Sequence, residues 1–182
     1  MNDDQRFASR RTDVLSFQTD ILADDLTLAG PVIADLMVSI TGTDADFVVK
    51  LIDVFPDDFK YPGDAAQTGR AGGGSYPMNG YEMLVRGEIM RGKYRSSFET
   101  PVPFTPNKIE KVKFDLPDVA HTFKKGHRLM IQVQSSWFPL ADRNPQKFVN
   151  IYEATISDFQ KATIKIYHDA ANSSSIWLPI LK

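Results

Sequence analysis

An all-β sandwich is the fold class that this 182-residue sequence predicts, and three observations predict it. Apolar and polar residues alternate with period two in about eight separate segments. Pro and Gly fall in the gaps between them. No stretch keeps apolar residues at helical spacing for more than a turn or two.

Taken in order, the first alternating run is residues 14–19. The second, 32–40, is the clearest: Val32, Ala34, Leu36, Val38 and Ile40 make a wholly apolar parity, while the other parity carries Asp35 and Ser39. That is the pattern of a strand buried on one face. The same alternation recurs at 47–55, 82–90, 112–116, 128–134, 162–167 and 176–181. Gly30-Pro31, Pro56-Asp57-Asp58, residues 101–106, Pro117-Asp118, Lys125-Gly126 and Phe138-Pro139 read as the breaks between strands. Residues 57–81 carry Gly63, Gly69, Gly72, Gly73, Gly74 and Gly80 with Pro62 and Pro77, so they have no face to bury and read as one long loop. There is no internal repeat and no heptad pattern.

A mass of 20.4 kDa with 42% hydrophobic and 24% charged residues suits a single packed domain spanning 1–182. Lys and Arg number 21 against 23 Asp and Glu, so there is no basic excess for a phosphate backbone, and nucleic acid is excluded as an expected partner. The absence of Cys removes disulfides, thiolate zinc sites and cysteine nucleophiles. No apolar run approaches the ~18 residues of a bilayer span, and no membrane partner is expected. The polar start, Met1-Asn2-Asp3-Asp4, is no signal peptide, and suits a domain from the middle of a chain whose export signal lies upstream.

Chemistry is sparse. The nearest match to a Gly-x-Ser-x-Gly nucleophile elbow is Gly73-Gly74-Ser75-Tyr76-Pro77, where Pro77 replaces the second Gly and no helix follows, so Ser75 reads as a loop serine. His121 and His127 are six apart across a turn, a spacing with no ligand signature, and with His168 they read as surface or rim histidines. Of the carboxylates Asp44, Asp46, Asp53, Asp57 and Asp58, the first two precede the 47–55 run, the last two follow it and Asp53 lies within it; solvated turn residues are the default reading, without the register of a calcium loop. Asn172-Ser173-Ser174 matches a glycosylation sequon, a pattern that arises by chance. No cofactor or metal is expected, and no catalytic residue is assigned. The remaining feature is the strand-end segment 135–145, where Trp137 and Phe138 stand beside Asp142-Arg143-Asn144. It is read as an end plug or a domain interface ahead of a free ligand groove, with an exposed apolar patch expected at 137–140.

Several of these segments, in this order, resemble one family. Residues 7–14 with 20–32, then 43–57, 84–95, 123–128, 135–139 and 142–145, resemble the C-terminal domain of X-Pro dipeptidyl-peptidases and cocaine-esterase-like (CocE/NonD) serine hydrolases. The Trp137 loop, residues 81–84 and residues 158–162 look most like the α-amino acid ester hydrolase and glutaryl-7-aminocephalosporanic acid acylase branch.

The resemblance implies a jelly-roll β-sandwich, similar to galactose-binding domains, that packs on an α/β-hydrolase domain of the same parent chain and helps wall its active site. The family's Ser-His-Asp triad lies in that upstream domain, and none of its motifs is present here, so no catalytic role passes to His121, His127, His168 or Ser75. Trp137, Phe138, Asp142, Arg143, Asn144 and Tyr81 become the candidate interface or active-site wall. For the parent, the resemblance implies a bacterial, periplasmic or secreted protein, and leaves a homo-oligomer open. A carbohydrate-binding sandwich is the alternative; it needs two or three aromatics on one exposed surface, for which the sequence supplies Tyr61, Tyr76, Tyr81, Trp137 and Phe138 as candidates.

Overall fold

The structure is a computed structural model that describes residues 3–61 and 77–182. Most of the predicted loop, including Gly63, Gly69, Gly72, Gly73, Gly74, Ser75 and Tyr76, lies outside the described residues. Among the described residues a single-turn helix, α1 (Arg6–Ser9), precedes eight strands: β1 (Val14–Gln18), β2 (Leu26–Ile40), β3 (Asp46–Val54), β4 (Glu82–Arg91), β5 (Glu110–Phe123), β6 (Arg128–Gln134), β7 (Ile164–Tyr167) and β8 (Ser175–Trp177).

The strands form two antiparallel sheets. One has the order β1-β6-β3-β4; in the other, β2 pairs with β5 along one edge and with β7 and β8 along its second edge. The apolar parity of β2, from Val32 to Ile40, faces Phe47, Val49 and Leu51 of β3 and Leu129, Ile131 and Val133 of β6 in one continuous core. Period-two sequence thus becomes a two-layer sandwich, because each sheet has one greasy face to hide and the other sheet hides it.

Three expectations need correction. Gly30-Pro31 and Pro117-Asp118 do not end strands: β2 and β5 run through them as one long antiparallel pair. Gly30 pairs with Val119 and Val32 with Leu116, so Pro31 alone faces Pro117 and Asp118 across a β-bulge. A bulge places residues outside the ladder, where a proline's missing N–H costs nothing. The second correction concerns β3, which is buried on both faces. Val48, Lys50 and Ile52, on the side away from the core, are as enclosed as Val49 and Leu51. The N-terminal segment and Trp137 lie over that outer side at Lys50. Third, the final run is shorter than read: β8 ends at Trp177, and only an isolated bridge joins Leu28 to Ile180 beyond it.

Candidate functional site

After β6 the chain makes a 29-residue excursion, 135–163, before β7 begins. It has no strand of its own, only two single 3-10 turns at Ile151–Glu153 and Ile156–Asp158. What fixes it is a buried polar network beneath it. Asn144 Nδ2 donates to Asp46 Oδ1 at 2.8 Å and to Asp44 Oδ2 at 3.1 Å, and Asn144 Oδ1 accepts the Gln146 N–H at 2.8 Å. Asp44 also accepts the backbone N–H groups of Ala45 and Lys93.

Asp46 begins β3 directly opposite Arg91, the last residue of β4, and the register places their side chains together at 3.2 Å. Arg91 also donates to the Asp142 carbonyl, and Lys93 Nζ to the Val149 carbonyl at 2.9 Å. The backbone closes the contact. Thr43 N donates to the Gln146 carbonyl and Phe148 N to Thr43 Oγ1. Gly42 is required here, since a Cβ would stand 2.2 Å from the Gln146 oxygen.

Burial pushes both carboxyls above the ordinary carboxylate range. For Asp44 the neighbouring charge of Asp46 adds to this, while the Asn144 amide pulls both back and Arg91 helps hold Asp46. The expectation of solvated turn residues is therefore wrong for Asp44, Asp46 and Asp53, all at 2% exposure or less; Asp57 and Asp58 are exposed. Buried carboxylates persist where amide and guanidinium donors replace water, and those donors come from segments 45 to 100 residues away.

Over this network the excursion turns large apolar side chains outward: Phe138, Leu140, Tyr152, Ile156 and Phe159 are all exposed, Ile156 at 93%. Arg143 stands between two of them, its guanidinium 5.4 Å from the Phe138 ring and 5.8 Å from that of Phe159. Among the sequence-predicted residues, Phe138, Asp142 and Arg143 are exposed on this face. Asn144 is the buried anchor. Trp137 is corrected: it is 7% exposed, stacked over Lys50 and tight against Gly87, because the Gly leaves a hollow of the ring's size on the outer side of the sheet. Tyr81 is also buried, edge-on to Phe55 and bonded to Asp3.

Sequence reading missed Asp44, Asp46, Arg91 and Lys93 as anchors, and Phe148, Tyr152, Ile156 and Phe159 as companions of Phe138. A signal was present. Asp44-Ala45-Asp46 and Arg91-Gly92-Lys93 put like charges two apart at the ends of two strands that turn out to pair.

The histidines meet elsewhere. His127 Nδ1 lies 2.8 Å from Asp53 Oδ1, and His121 Nε2 lies 2.9 Å from Asp53 Oδ2. The β5–β6 turn brings both to one carboxylate on β3, which ties the two sheets at this end. Neither imidazole is hydrogen-bonded to a hydroxyl among the described residues, and no group of three carboxylate or imidazole side chains there converges on a metal-sized point. His168 is exposed, at a backbone bridge to Ser173. The described chemistry holds segments in place; what it offers to a partner is the apolar face of the excursion.

Residues 3–176 match the family described as the X-Pro dipeptidyl-peptidase C-terminal non-catalytic domain. The chain is 34% identical over 179 residues to the cocaine esterase of Rhodococcus sp. (strain MB1 Bresler), covering 98% of itself and 27% of that protein. An α-amino acid ester hydrolase structure superposes with TM-score 0.87 at 46% identity, over 98% of this chain and 27% of that one. An aminopeptidase from the marine sediment archaeon Thaumarchaeota archaeon gives TM-score 0.88 at 41% identity, over 99% and 28%. The chain thus spans little more than a quarter of the proteins it matches.

Proposed function

We propose, from the premise that this chain belongs to the X-Pro dipeptidyl-peptidase C-terminal non-catalytic domain family, that it is the accessory sandwich of a larger serine hydrolase. In this reading it docks on an α/β-hydrolase portion and walls part of its active-site region. One observation carries the reading: the 135–163 excursion is held from beneath by a buried polar network, yet it presents Phe138, Leu140 and Phe159 to solvent. A segment fixed this firmly, with apolar side chains outward, suits a standing contact with another protein surface.

In the parent, an activated Ser attacks an ester or amide carbonyl, and preorganised donors hold the oxyanion. Amino acid esters and X-Pro peptides are the substrate classes to test, from the names of the relatives. The sugar-binding alternative loses two of its five candidate aromatics, since Trp137 and Tyr81 are buried.

The test is a Phe138→Ser, Phe159→Ser pair in the full-length gene product. Ester hydrolysis should fall tenfold or more in kcat/KM, and protease should release the sandwich sooner, while the 182-residue chain alone keeps its stability to within ~0.5 kcal/mol. Unchanged hydrolysis and unchanged proteolysis would reject the docking face.

A further inference from the structure

Among the described residues strand β4 ends its sheet: the order runs β1-β6-β3-β4, and no strand is hydrogen-bonded to its outer edge, although β5 of the other sheet passes close to it. The Ile89 N–H points away from β3, and its acceptor is the carboxylate of the adjacent Glu88 at 2.7 Å. Strand alternation puts the main-chain groups of Gly87 on the same outer edge. Among the described residues no main chain bonds to this edge between 84 and 90. At the start of the strand one does: Gln5 N donates to the Glu82 carbonyl at 2.8 Å.

Two hollows open along this free edge. One, of about 880 Å³, lies between Glu88 and Met90 on one side and Lys113 and Asp115 of β5 on the other, with the exposed Phe98 at its rim. The second, of about 380 Å³, continues past Gly87 to Pro117, Trp137 and Leu140. Among the described residues, Arg86 of β4 reaches across to donate to the Asp118 carbonyl of β5. A ten-residue edge strand without Pro or Lys is a standing template for another strand, and proteins normally cover such edges.

We propose that an extended segment of the parent polypeptide's catalytic portion lies in this groove and pairs its main chain with Gly87 and Ile89 of β4. The proposal rests on the accessory-domain reading above. Three observations select this occupant. The matched structures carry nearly three quarters of their length outside the region this chain covers, so covalently linked polypeptide is at hand. Leu140 lines the groove and also belongs to the exposed face of the excursion, so one docked body reaches both. Of the charges lining the groove, Arg95 is already paired with Glu110, and the rest, Glu88 and Asp115 against Arg86 and Lys113, are balanced, which favours neutral main chain over a charged ligand.

Amide hydrogen exchange at Gly87 and Ile89, compared between the 182-residue chain and the full-length gene product, tests it. The expected result is fast exchange in the chain alone and at least 100-fold slower exchange at both amides in the full-length protein. Equal exchange in the two overturns the proposal, and if that protein still hydrolyses esters the accessory-domain reading stands without it. Protection already present in the monomeric chain also overturns it, because the edge is then closed from within. So does protection that rises with concentration alongside a dimer in light scattering, because a second copy is then the occupant. A full-length product with no hydrolase portion removes occupant and reading together.

Discussion

The ammonium of Lys50 lies 4.8 Å from the centroid of the Trp137 ring, in the middle of a sheet and with no exposed surface. Its hydrogen-bond acceptor is Gln5 Oε1 at 2.9 Å, and no carboxylate stands within ion-pair distance among the described residues. The Trp137 ring face, the Phe7 ring at 5.8 Å and one amide oxygen return only part of the hydration that this charge loses.

Burial, with a smaller push from Arg11, lowers the Lys50 pKa to about 8. The sign comes from linkage. Below about pH 8 the amine is charged in both folded and unfolded chains, and the fold carries the full burial cost. Between about 8 and the ordinary value of 10.5 the unfolded chain holds a proton that the folded chain has shed, so stability rises with pH. Lys50→Met should therefore stabilise the chain at pH 7 by about 1–3 kcal/mol, the usual outcome when an unpaired buried charge becomes apolar. The gain should shrink as pH climbs from 8 to 10. Urea melts of both proteins across that range check it, and a variant less stable at pH 7, or a gap that ignores pH, would count against it.

The neighbouring Gly87 sets the second expectation. A Cβ there would meet Trp137 Cη2 at 2.6 Å, so Gly87→Ala must tilt the ring off its seat, at a cost of about 1–3 kcal/mol. Trp137→Ala should destabilise the isolated chain by about 3–5 kcal/mol, the range for a large aromatic removed from a packed site. In a Trp137→Leu background the Gly87→Ala penalty should mostly vanish. An undiminished penalty there would mean that the glycine serves the strand and not the ring.

How far the sequence reached can be read from these residues. The inward parity of β2 was legible because burial on one face writes a period of two into the chain, and that period needs no knowledge of partners. Lys50 was legible only as the polar member of an alternating run, which normally means solvent. Its burial depends on what the N-terminal segment and the Trp137 turn do more than 40 residues away in each direction. Asp44 and Asp46 were misread for the same reason: Asp before a strand is ordinarily a turn residue, and only Asn144, about 100 residues on, makes it an anchor. Local pattern records which face is greasy; it does not record which distant segment lands on the other face.

Asn144→Ala should strip the shared donor from two buried carboxylates and cost about 2–4 kcal/mol near neutral pH, as for charged groups left short of partners. Because burial raises both Asp44 and Asp46, their protonated forms suit the fold better. The stabilising effect of protonation is therefore present at low pH and lost as pH rises through the raised values. The Asn144→Ala penalty should accordingly be smaller at pH 5 than at pH 7.5. Denaturant melts at the two pH values decide it, and equal penalties would show that the amide's role is packing alone.

Asp53 offers the sharpest comparison, since one carboxylate serves two imidazoles in different surroundings. A carboxylate only accepts, so the facing nitrogens are its donors: Nδ1–H of His127 and Nε2–H of His121. Removing Asp53 leaves both donors without an acceptor, and the cost at each then depends on its access to water. The His121 side chain is 22% exposed and can turn its N–H to solvent, whereas that of His127, at 7%, is closed in by Phe55 and Phe59. Double-mutant cycles should then give a coupling of about 1–3 kcal/mol for Asp53 with His127, and well under about 1 kcal/mol for Asp53 with His121, although the two bonds differ by only 0.1 Å in length. The cycles use Asp53→Ala with His127→Ala and with His121→Ala, each followed by urea denaturation. Equal couplings, or a stronger one at His121, would mean that the bridge between the two sheets matters more than the burial of the donor.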